Sequence, residues 1–413
     1  MIFDSIHAPH LTRRIVLAAA LVAPLFGAAV AQPAKNDASA ASASRHAADR
    51  QAVDRSIGHL EQVFSFTGAM PTGVAIDPHT HRIFVNFPRW GDKNVPYTVG
   101  EIVGDKVVPY PDAQMNRATT DVPAAHFISV QSVVADGRGR LWVLDPAVLD
   151  PTTPSSAAPV PGGAKLVAID LKTNQVARTY VLPSDAVLPT TYLNDVRFDF
   201  RAGKSGFAYI TDSAAGSEPG SIIVIDLASG DAWRRLSGHP SVQPDPSFVP
   251  IVEGEQLMIR ASGKPPVPFR VASDGITLSA DGTTLYYGPL TSRNLYAVPT
   301  NLLSDRSVSD EKVAAAVVDL GDKGASDGLE TDDRGRIYAT DYEHNAIRRL
   351  DNGRWTTIAH DARMLWPDSM SIAPGYLYFT ANQIDRLPLF HEGHDGRVKP
   401  YALFRVKIDA GPR

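Results

Sequence analysis

The sequence predicts an all-β protein built as a six-bladed β-propeller. Six times along the chain, a polar residue stands at or just before an apolar strand that leads into a turn and a second, aromatic-containing strand. The six strand starts lie in residues 71–76, 130–134, 193–198, 273–278, 326–331 and 367–372. A repeat of about 40–50 residues made of short strands is typical of propeller blades. Because innermost strands surround one axis, the six polar residues are predicted to form a ring.

The remaining strands of each repeat follow in order. Second strands are predicted at residues 83–85, 141–143, 207–210, 285–287, 337–339 and 376–379. Third strands are predicted at 165–170, 221–226, 294–298, 346–350 and 401–406, and fourth strands at 176–180, 233–236, 316–319 and 355–358. Two short helices are expected at 302–305 and 310–316. The last repeat lacks a fourth strand, and the spare strand at 60–66 is predicted to complete that blade and close the ring.

The N-terminal 31 residues predict a cleaved signal peptide of the twin-arginine type. Arg13 and Arg14 precede an apolar run, and residues 29–31 match a small-x-small cleavage site. The run is short for a membrane span and contains a proline and a glycine. We therefore expect a periplasmic or extracellular protein, exported by the twin-arginine or the general secretory route, with no membrane span after cleavage.

Composition limits the classes of function. Residues 32–55 are rich in Ala, Ser, Asp and Lys and predict a flexible leader, followed by a single propeller domain over 56–413. The net charge of −5 offers no basic surface for nucleic acid. The 413 residues include no cysteine, which excludes thiol catalysis and thiolate metal sites.

The predicted ring is rich in oxygen donors. Its members are Thr72, Gln131, Asn194, Asp274, Asp327 and Asp368. Carboxylate and amide oxygens are the ligands that Ca²⁺ prefers, so the cofactor prediction is Ca²⁺ or another divalent cation, held by Asn194, Asp274, Asp327 and Asp368. Without a cation, three crowded carboxylates should raise the pKa of at least one of them. A small-molecule pocket without metal and a purely structural ring are the alternatives.

Other candidate residues lie outside this ring. Trp90 and Trp366 could form the aromatic walls of a pocket, with core packing as the alternative. Glu330 follows Asp327 by three positions, so pleat alternation predicts that it faces away from the ring. Residues 391–395 contain two histidines and two acids, but a surface loop is favoured over a metal site. Residues 324–328 match Gly-x-Ser-x-Gly, yet they lead into a strand rather than a helix, which disfavours Ser326 as a nucleophile.

Several stretches resemble the yellow and major royal jelly protein family, in its bacterial branch. The matching stretches are 73–77, 87–90, 95–98, 131–133, 141–145, 192–196, 209–213, 289–292, 326–328 and 345–347. The resemblance implies a secreted six-bladed propeller, distantly similar to gluconolactonase-type lactonases that hold a divalent metal at this end of the channel. Members of the family include dopachrome-converting enzymes, binders of biogenic amines, and nutritive or structural proteins. The cysteines of the insect members are absent here, so their disulfides do not carry over.

Ring chemistry and resemblance together lead to two functional hypotheses. The first is an exported, metal-assisted enzyme, a lactone hydrolase or a dopachrome-type tautomerase, and the second is a non-catalytic binder of small amines or aromatics. In either case the partner is a small molecule rather than nucleic acid. The candidate catalytic residues are Asn194, Asp195 and Asp327. The candidate ligand-binding residues are Thr72, Gln131, Ser326, Asn345, Trp90 and Trp366; the resemblance implies Ser326 and Asn345, which match positions near the amine site.

Overall fold

The computed structural model describes residues 54–150, 157–214 and 219–413. Within these ranges the chain forms six four-stranded antiparallel sheets, which confirms the all-β, six-bladed prediction. The predicted signal peptide and residues 32–53 of the predicted leader lie outside the described residues. Among the described residues, no helix has the length and apolar character that a membrane span requires.

The first three blades each use four consecutive strands, ordered from the channel outwards. Blade 1 comprises Gly73–Ile76, Ile83–Asn86, Val99–Val103 and Lys106–Pro109. Blade 2 comprises Ser132–Ala135, Arg140–Asp145, Lys165–Asp170 and Gln175–Val181. Blade 3 comprises Leu193–Asp199, Phe207–Asp212, Ser221–Asp226 and Ala232–Arg235.

The other three blades follow the same plan, except for the outermost strand of the last one. Blade 4 comprises Ser273–Leu278, Thr284–Pro289, Asn294–Pro299 and Val318–Asp322. Blade 5 comprises Leu329–Thr331, Ile337–Asp341, Ala346–Asp351 and Arg354–His360. Blade 6 comprises Pro367–Ala373, Tyr376–Ala381, Tyr401–Lys407 and Leu60–Phe66.

The outermost strand of blade 6 comes from the beginning of the described chain. Leu60 lies opposite Val406 and Phe66 lies opposite Tyr401 in an antiparallel pair. The first and last strands therefore belong to one sheet, and the pairing between them holds the circle of blades together. The pairing also covers Tyr401–Lys407, which would otherwise be the open outer edge of a three-stranded blade.

Short additional elements lie between the strands. Two helices, Thr300–Ser304 and Asp310–Ala315, connect the third and fourth strands of blade 4, close to the predicted positions. The 3₁₀ turns are Pro123–Ala125, Pro240–Val242, Ile384–Arg386 and Pro388–Phe390. Two small hairpins between blades 3 and 4, which the sequence did not predict, pair Ile251–Val252 with Glu255–Gln256 and Met258–Ile259 with Val267–Pro268.

The hydrophobic core is divided among the seams between neighbouring blades. Between blades 2 and 3, for example, Trp142 packs on Phe198 with ring centroids 4.5 Å apart. The seam between blades 6 and 1 contains Phe66, Val85 and Leu403. Because each sheet packs against a blade on both faces, whole strands such as Ser273–Leu278 are buried without polar alternation. Apolar contacts on both faces of each sheet thus stabilise the fold without disulfide bonds.

Irregular pairing at the start of the inner strands shapes the channel. The register shifts within three inner strands, between Leu193 and Val196, Ser273 and Ile276, and Pro367 and Met370. In blade 5, the backbone N–H groups of Asp327 and Gly328 both donate to the Thr340 hydroxyl, at 3.0 and 3.1 Å. Such bulges interrupt side-chain alternation, so residues on both sides of the irregularity can face the channel.

Candidate functional site

The six inner strands approach one another closely at the level of the predicted ring. A methyl group added at Gly275 would overlap the carbonyl oxygen of Asp327, and one at Gly328 would overlap the carbonyl oxygen of Asp368. Thr380, on the second strand of blade 6, donates its hydroxyl to the carbonyl oxygen of blade-1 Thr72, at 2.9 Å. Close approach of the strands therefore brings the ring side chains into a narrow, buried space, here called the upper end of the channel.

Three carboxyl groups meet at this upper end. Asp274, Asp327 and Asp368 are 2%, 7% and 5% exposed, and the Asp327 carboxyl shares hydrogen bonds with the other two. Burial raises the pKa of Asp327 to about 6. Burial, together with the charge of Asp327, raises the pKa of Asp274 and of Asp368 well above the usual range. We call these three residues the acid triad; the shared hydrogen bonds and the raised pKa values show that its three carboxyl groups titrate together rather than independently.

Amide side chains hold the outer members of the triad. The Asn194 Nδ2 group donates to the Asp274 carboxylate at 2.7 Å, and the Asn382 Nδ2 group donates to the Asp368 carboxylate at 2.6 Å. Each amide fixes the orientation of one carboxyl group, and that carboxyl group can still exchange a proton with Asp327. Asn194 was predicted from its position at a strand start, whereas Asn382, just after the second strand of blade 6, was not.

Trp366 holds the central member. Its indole Nε1 donates to Asp327 Oδ2 at 2.7 Å, and its ring stacks on Tyr342 with centroids 4.3 Å apart and planes 7° from parallel. Trp366 is fully buried and adopts a φ of 51°, a conformation that is costly for a bulky residue. The backbone is thus held in a strained conformation that aims an N–H donor at Asp327, and this bond favours the ionised carboxylate.

A buried lysine lies on the blade 4 side of the triad. Among the described residues, the Lys323 amine donates to two backbone carbonyl oxygens, those of Ser292 at 3.4 Å and Gly324 at 3.2 Å. Burial lowers its pKa to about 8, although the charges of Asp341 and Asp274 act in the opposite direction. Sequence reasoning missed Lys323, because nothing in its local pattern distinguishes it from a surface lysine.

The blade 1 and blade 2 members of the ring belong to a separate, neutral network. Trp90 Nε1 donates to the Tyr192 hydroxyl at 2.6 Å, which in turn donates to Gln131 Oε1 at 2.6 Å. Thr72 donates to the Gln131 carbonyl oxygen at 3.1 Å and accepts from Asn86 Nδ2 at 2.8 Å. The predicted ligand-binding residues Thr72, Gln131 and Trp90 thus have protein partners in this structure.

Asp195 lies one level further down the channel. It accepts from the Ser132 hydroxyl at 2.7 Å and from Arg197 Nη1 at 2.8 Å. Arg197 also reaches Glu330, at 3.4 Å. The expectation that pleat alternation turns Glu330 away from the channel is wrong, because the irregular pairing at Asp327 restores a channel-facing position below the ring.

Two residues implied by the family resemblance have local backbone roles. The buried Ser326 hydroxyl donates to the Gly328 carbonyl oxygen at 2.9 Å. Asn345 lies in the turn between the second and third strands of blade 5 with a φ of 49°. Within the part of the chain that the structure describes, neither side chain forms a hydrogen bond with the acid triad. The structure therefore brings together Asn194, the triad and Trp366 rather than the full predicted set.

The triad offers a hard cation suitable donor atoms, but its geometry is that of a proton-sharing cluster. Among the residues that the structure describes, no three histidine or acidic side chains are arranged around a common metal position. Residues 391–395 follow the 3₁₀ turn Pro388–Phe390 and are largely exposed, as a surface loop would be. As arranged, the cluster can donate and accept protons, or exchange its shared protons for a cationic ligand.

Comparisons with known proteins agree with this architecture. A protein-family model described as Major royal jelly protein matches residues 128–396. Protein yellow of Drosophila guanche is 29% identical over 265 residues, which cover 59% of this chain and 42% of that protein. Protein yellow of Drosophila melanogaster is 28% identical over 263 residues, which cover 59% of this chain and 43% of that protein. The matched region therefore spans less than half the length of these relatives.

Solved structures align with most of this chain at low identity. A luciferin-regenerating enzyme aligns with a TM-score of 0.51 and 13% identity, covering 86% of this chain and 97% of that chain. Regucalcin from Agrobacterium tumefaciens, described as a calcium-binding protein, aligns with a TM-score of 0.48 and 15% identity, covering 85% of this chain and 96% of that chain.

Proposed function

Because the chain belongs to the major royal jelly protein family, we propose that it is an exported enzyme that moves a proton on a small cyclic or aromatic substrate, as a dopachrome-type tautomerase does. The acid triad carries this proposal. In it, Asp327 is hydrogen-bonded to two acids whose pKa values are raised well above the usual range, and the pKa of about 6 at Asp327 suits a base that works near neutral pH.

The proposed chemistry needs no external reactant. Asp327 accepts a proton from one atom of the substrate, while Asp274 or Asp368 returns a proton to another atom, so the triad holds the same number of protons before and after. Hydrogen bonding by Trp366 Nε1 keeps Asp327 ionised between turnovers.

A lactone hydrolase at the same residues is less well supported. A bound divalent cation would supply carbonyl polarisation and a more acidic water, which is the chemistry that hydrolysis requires. The triad carboxyls are instead hydrogen-bonded to one another, and no step of the proposed proton transfer uses a metal. The predicted Ca²⁺ site is the alternative to proton sharing. In that state, a cation bound by Asn194 and the triad would replace the shared protons.

A non-catalytic amine binder is the second candidate. The observation that favours it is the stack of Trp366 on Tyr342 directly beside an ionised Asp327. A protonated amine with an aromatic ring would find a carboxylate and aromatic neighbours at one place. Binding of dopamine without turnover of any tautomerase substrate would support this candidate over the enzyme.

The test is turnover of dopachrome, followed by loss of its absorbance, in the wild type and in Asp327→Asn. We expect the substitution to lower kcat/KM by about 100-fold or more, since general acid–base groups contribute 10²–10⁴-fold. Asp105→Asn, at an exposed turn of blade 1, is the matched control and should keep full activity. The kcat/KM of the wild type should rise with pH through about 6, as Asp327 ionises.

Two results would contradict the proposal. Full turnover in Asp327→Asn, with an unchanged melting temperature, would remove the triad from the chemistry. Loss of wild-type turnover on exhaustive chelation, restored by Ca²⁺, would replace proton sharing with the metal-assisted alternative. Export is tested separately: the mature protein should begin at Gln32 by mass spectrometry after secretion from a bacterial host.

A further inference from the structure

The opposite end of the channel contains a cavity that the proposed function does not use. Its volume is about 540 Å³, and the later halves of the inner strands line it together with Pro412 and Arg413. Ligand sites usually occupy about 300–1,000 Å³, so the space is large enough for a small organic molecule. We call it the lower cavity.

Four arginines line this cavity and differ in their partners: Arg138, Arg197, Arg201 and Arg413. Arg197 is buried and pairs with Asp195 and Glu330, at 2.8 and 3.4 Å. Arg201 pairs with Asp199 through Nε, at 2.9 Å. The three acidic residues in this part of the cavity are thus engaged by two of its arginines.

Two of the four arginines form no ion pair with a carboxylate among the described residues. The Arg138 guanidinium lies over the Phe200 ring, whereas the Arg413 guanidinium donates to the Phe198 carbonyl oxygen at 3.3 Å. Arg413 is thus the one of these two whose guanidinium contacts the backbone of an inner strand. Its side chain lines the cavity and keeps an exposed surface. A positive charge in such surroundings is stabilised by an added anion.

Apolar side chains complete the lining. Phe198, Phe200 and Met370 face the same cavity, and Phe198 stacks on Phe200 with centroids 5.5 Å apart. The Arg138 guanidinium lies over the Phe200 ring, 4.7 Å from its centroid. An apolar wall beside an available guanidinium suits a ligand with a hydrophobic body and one anionic group.

We propose that the lower cavity is a binding site for small organic monoanions, in which an apolar or aromatic body contacts the Phe198–Phe200 wall and a carboxylate pairs with Arg413. A monoanion is favoured over a polyanion because Asp195, Asp199 and Glu330 remain in the cavity and would repel additional negative charge. The site lies at the other end of the channel from the acid triad and does not depend on the activity proposed for it.

The test is isothermal titration of the full chain with benzoate, the smallest aromatic carboxylate, and with benzamide as its neutral counterpart. We expect saturable benzoate binding and at least tenfold weaker benzamide binding. Arg413→Gln should weaken benzoate binding at least tenfold, and Arg413→Lys should retain part of it. Arg117→Gln, which removes one exposed arginine outside the cavity, is the matched control for net charge and should bind as the wild type does.

The outcomes separate this site from the upper one. Asp327→Asn should bind benzoate normally even if it abolishes turnover, so the failure of one proposal is visible without the other. Absence of saturable benzoate binding overturns the inference. Equal loss of affinity in Arg413→Gln and Arg117→Gln also overturns it, because the effect would then be one of net charge alone.

Discussion

The two ends of the central channel are built from the same six strands but differ in how closely those strands pack. At the upper end, neighbouring strands come so close that glycine is required at Gly275 and Gly328, and three acids are buried in mutual contact. At the lower end, the same strands enclose about 540 Å³ of space lined by arginines and aromatic rings. In blades 3, 4 and 6, the irregular pairing of the inner strand lies between these two ends.

This difference would let one propeller carry the proposed proton transfer and the proposed ligand binding at separate ends. Close packing buries the triad, which raises the pKa values of its acids. The wider lower end buries Arg197 but leaves Arg201 and Arg413 exposed. Because the bulges lie between the two levels, a change at one end should have little effect on the other, and the predictions below test this independence.

The largest effect on stability is expected from Gly328→Ala. The added methyl group would overlap the Asp368 carbonyl oxygen, a backbone atom that cannot move without displacing blade 6. Overpacking of this kind costs about 1–3 kcal/mol of unfolding free energy, measurable by urea denaturation. Gly68→Ala is the control, since an added methyl group there meets no atom within 4 Å. Equal stability of the two variants would show that the upper end is not tightly packed.

The pH dependence of stability should come from the acid triad. The native pKa of each triad acid is raised above its unfolded value, so the native state binds more protons, and the triad's contribution to stability falls as pH rises from about 4 through 6 and beyond. Each pKa unit corresponds to about 1.4 kcal/mol. The stability of Asp274→Asn relative to the wild type should therefore increase with pH, as measured by urea denaturation between pH 4 and 8.

The control for this series is Asp105→Asn, which should stay parallel to the wild type over the whole range because Asp105 is exposed. A stability difference between Asp274→Asn and the wild type that stays constant from pH 4 to 8 would contradict the raised pKa of Asp274. Such a result would mean that a cation or another partner keeps the triad ionised in the native state.

Much of the upper end could be predicted from the sequence because it depends on a repeated local pattern. The polar residue at the start of each inner strand can be recognised in the sequence alone, and the propeller fold places these residues around one axis. Asn194, Asp274, Asp327 and Asp368 were found in this way, and the structure brings them together. The expectation of a raised carboxyl pKa also agrees with the shift at each triad acid.

The other residues of the two sites could not be predicted, because no local sequence pattern marks the contacts that place them. Glu330 was misplaced because the irregular pairing near Asp327, which follows from contacts to Thr340 on the next strand, interrupts alternation. Tyr192 and Asn382 reach the ring from positions outside the repeated strand-start pattern. Arg413 enters the lower cavity because the end of the described chain pairs with blade 5, through Pro412 and Asp332. These are long-range contacts that only the assembled blades define.

The smallest effect is expected from Arg413→Gln on the protein without ligand. Its guanidinium makes one long hydrogen bond, to the Phe198 carbonyl oxygen, and lies near two other arginines, so its removal also relieves repulsion. We expect the unfolding free energy to change by less than about 0.5 kcal/mol, as for Arg117→Gln. A loss of about 2 kcal/mol or more would make Arg413 a structural contact of the lower end rather than a ligand-binding group. A near-neutral change in unfolding free energy together with lost benzoate affinity would instead show that Arg413 serves ligand binding. The acids of the upper end differ in that they are hydrogen-bonded to one another.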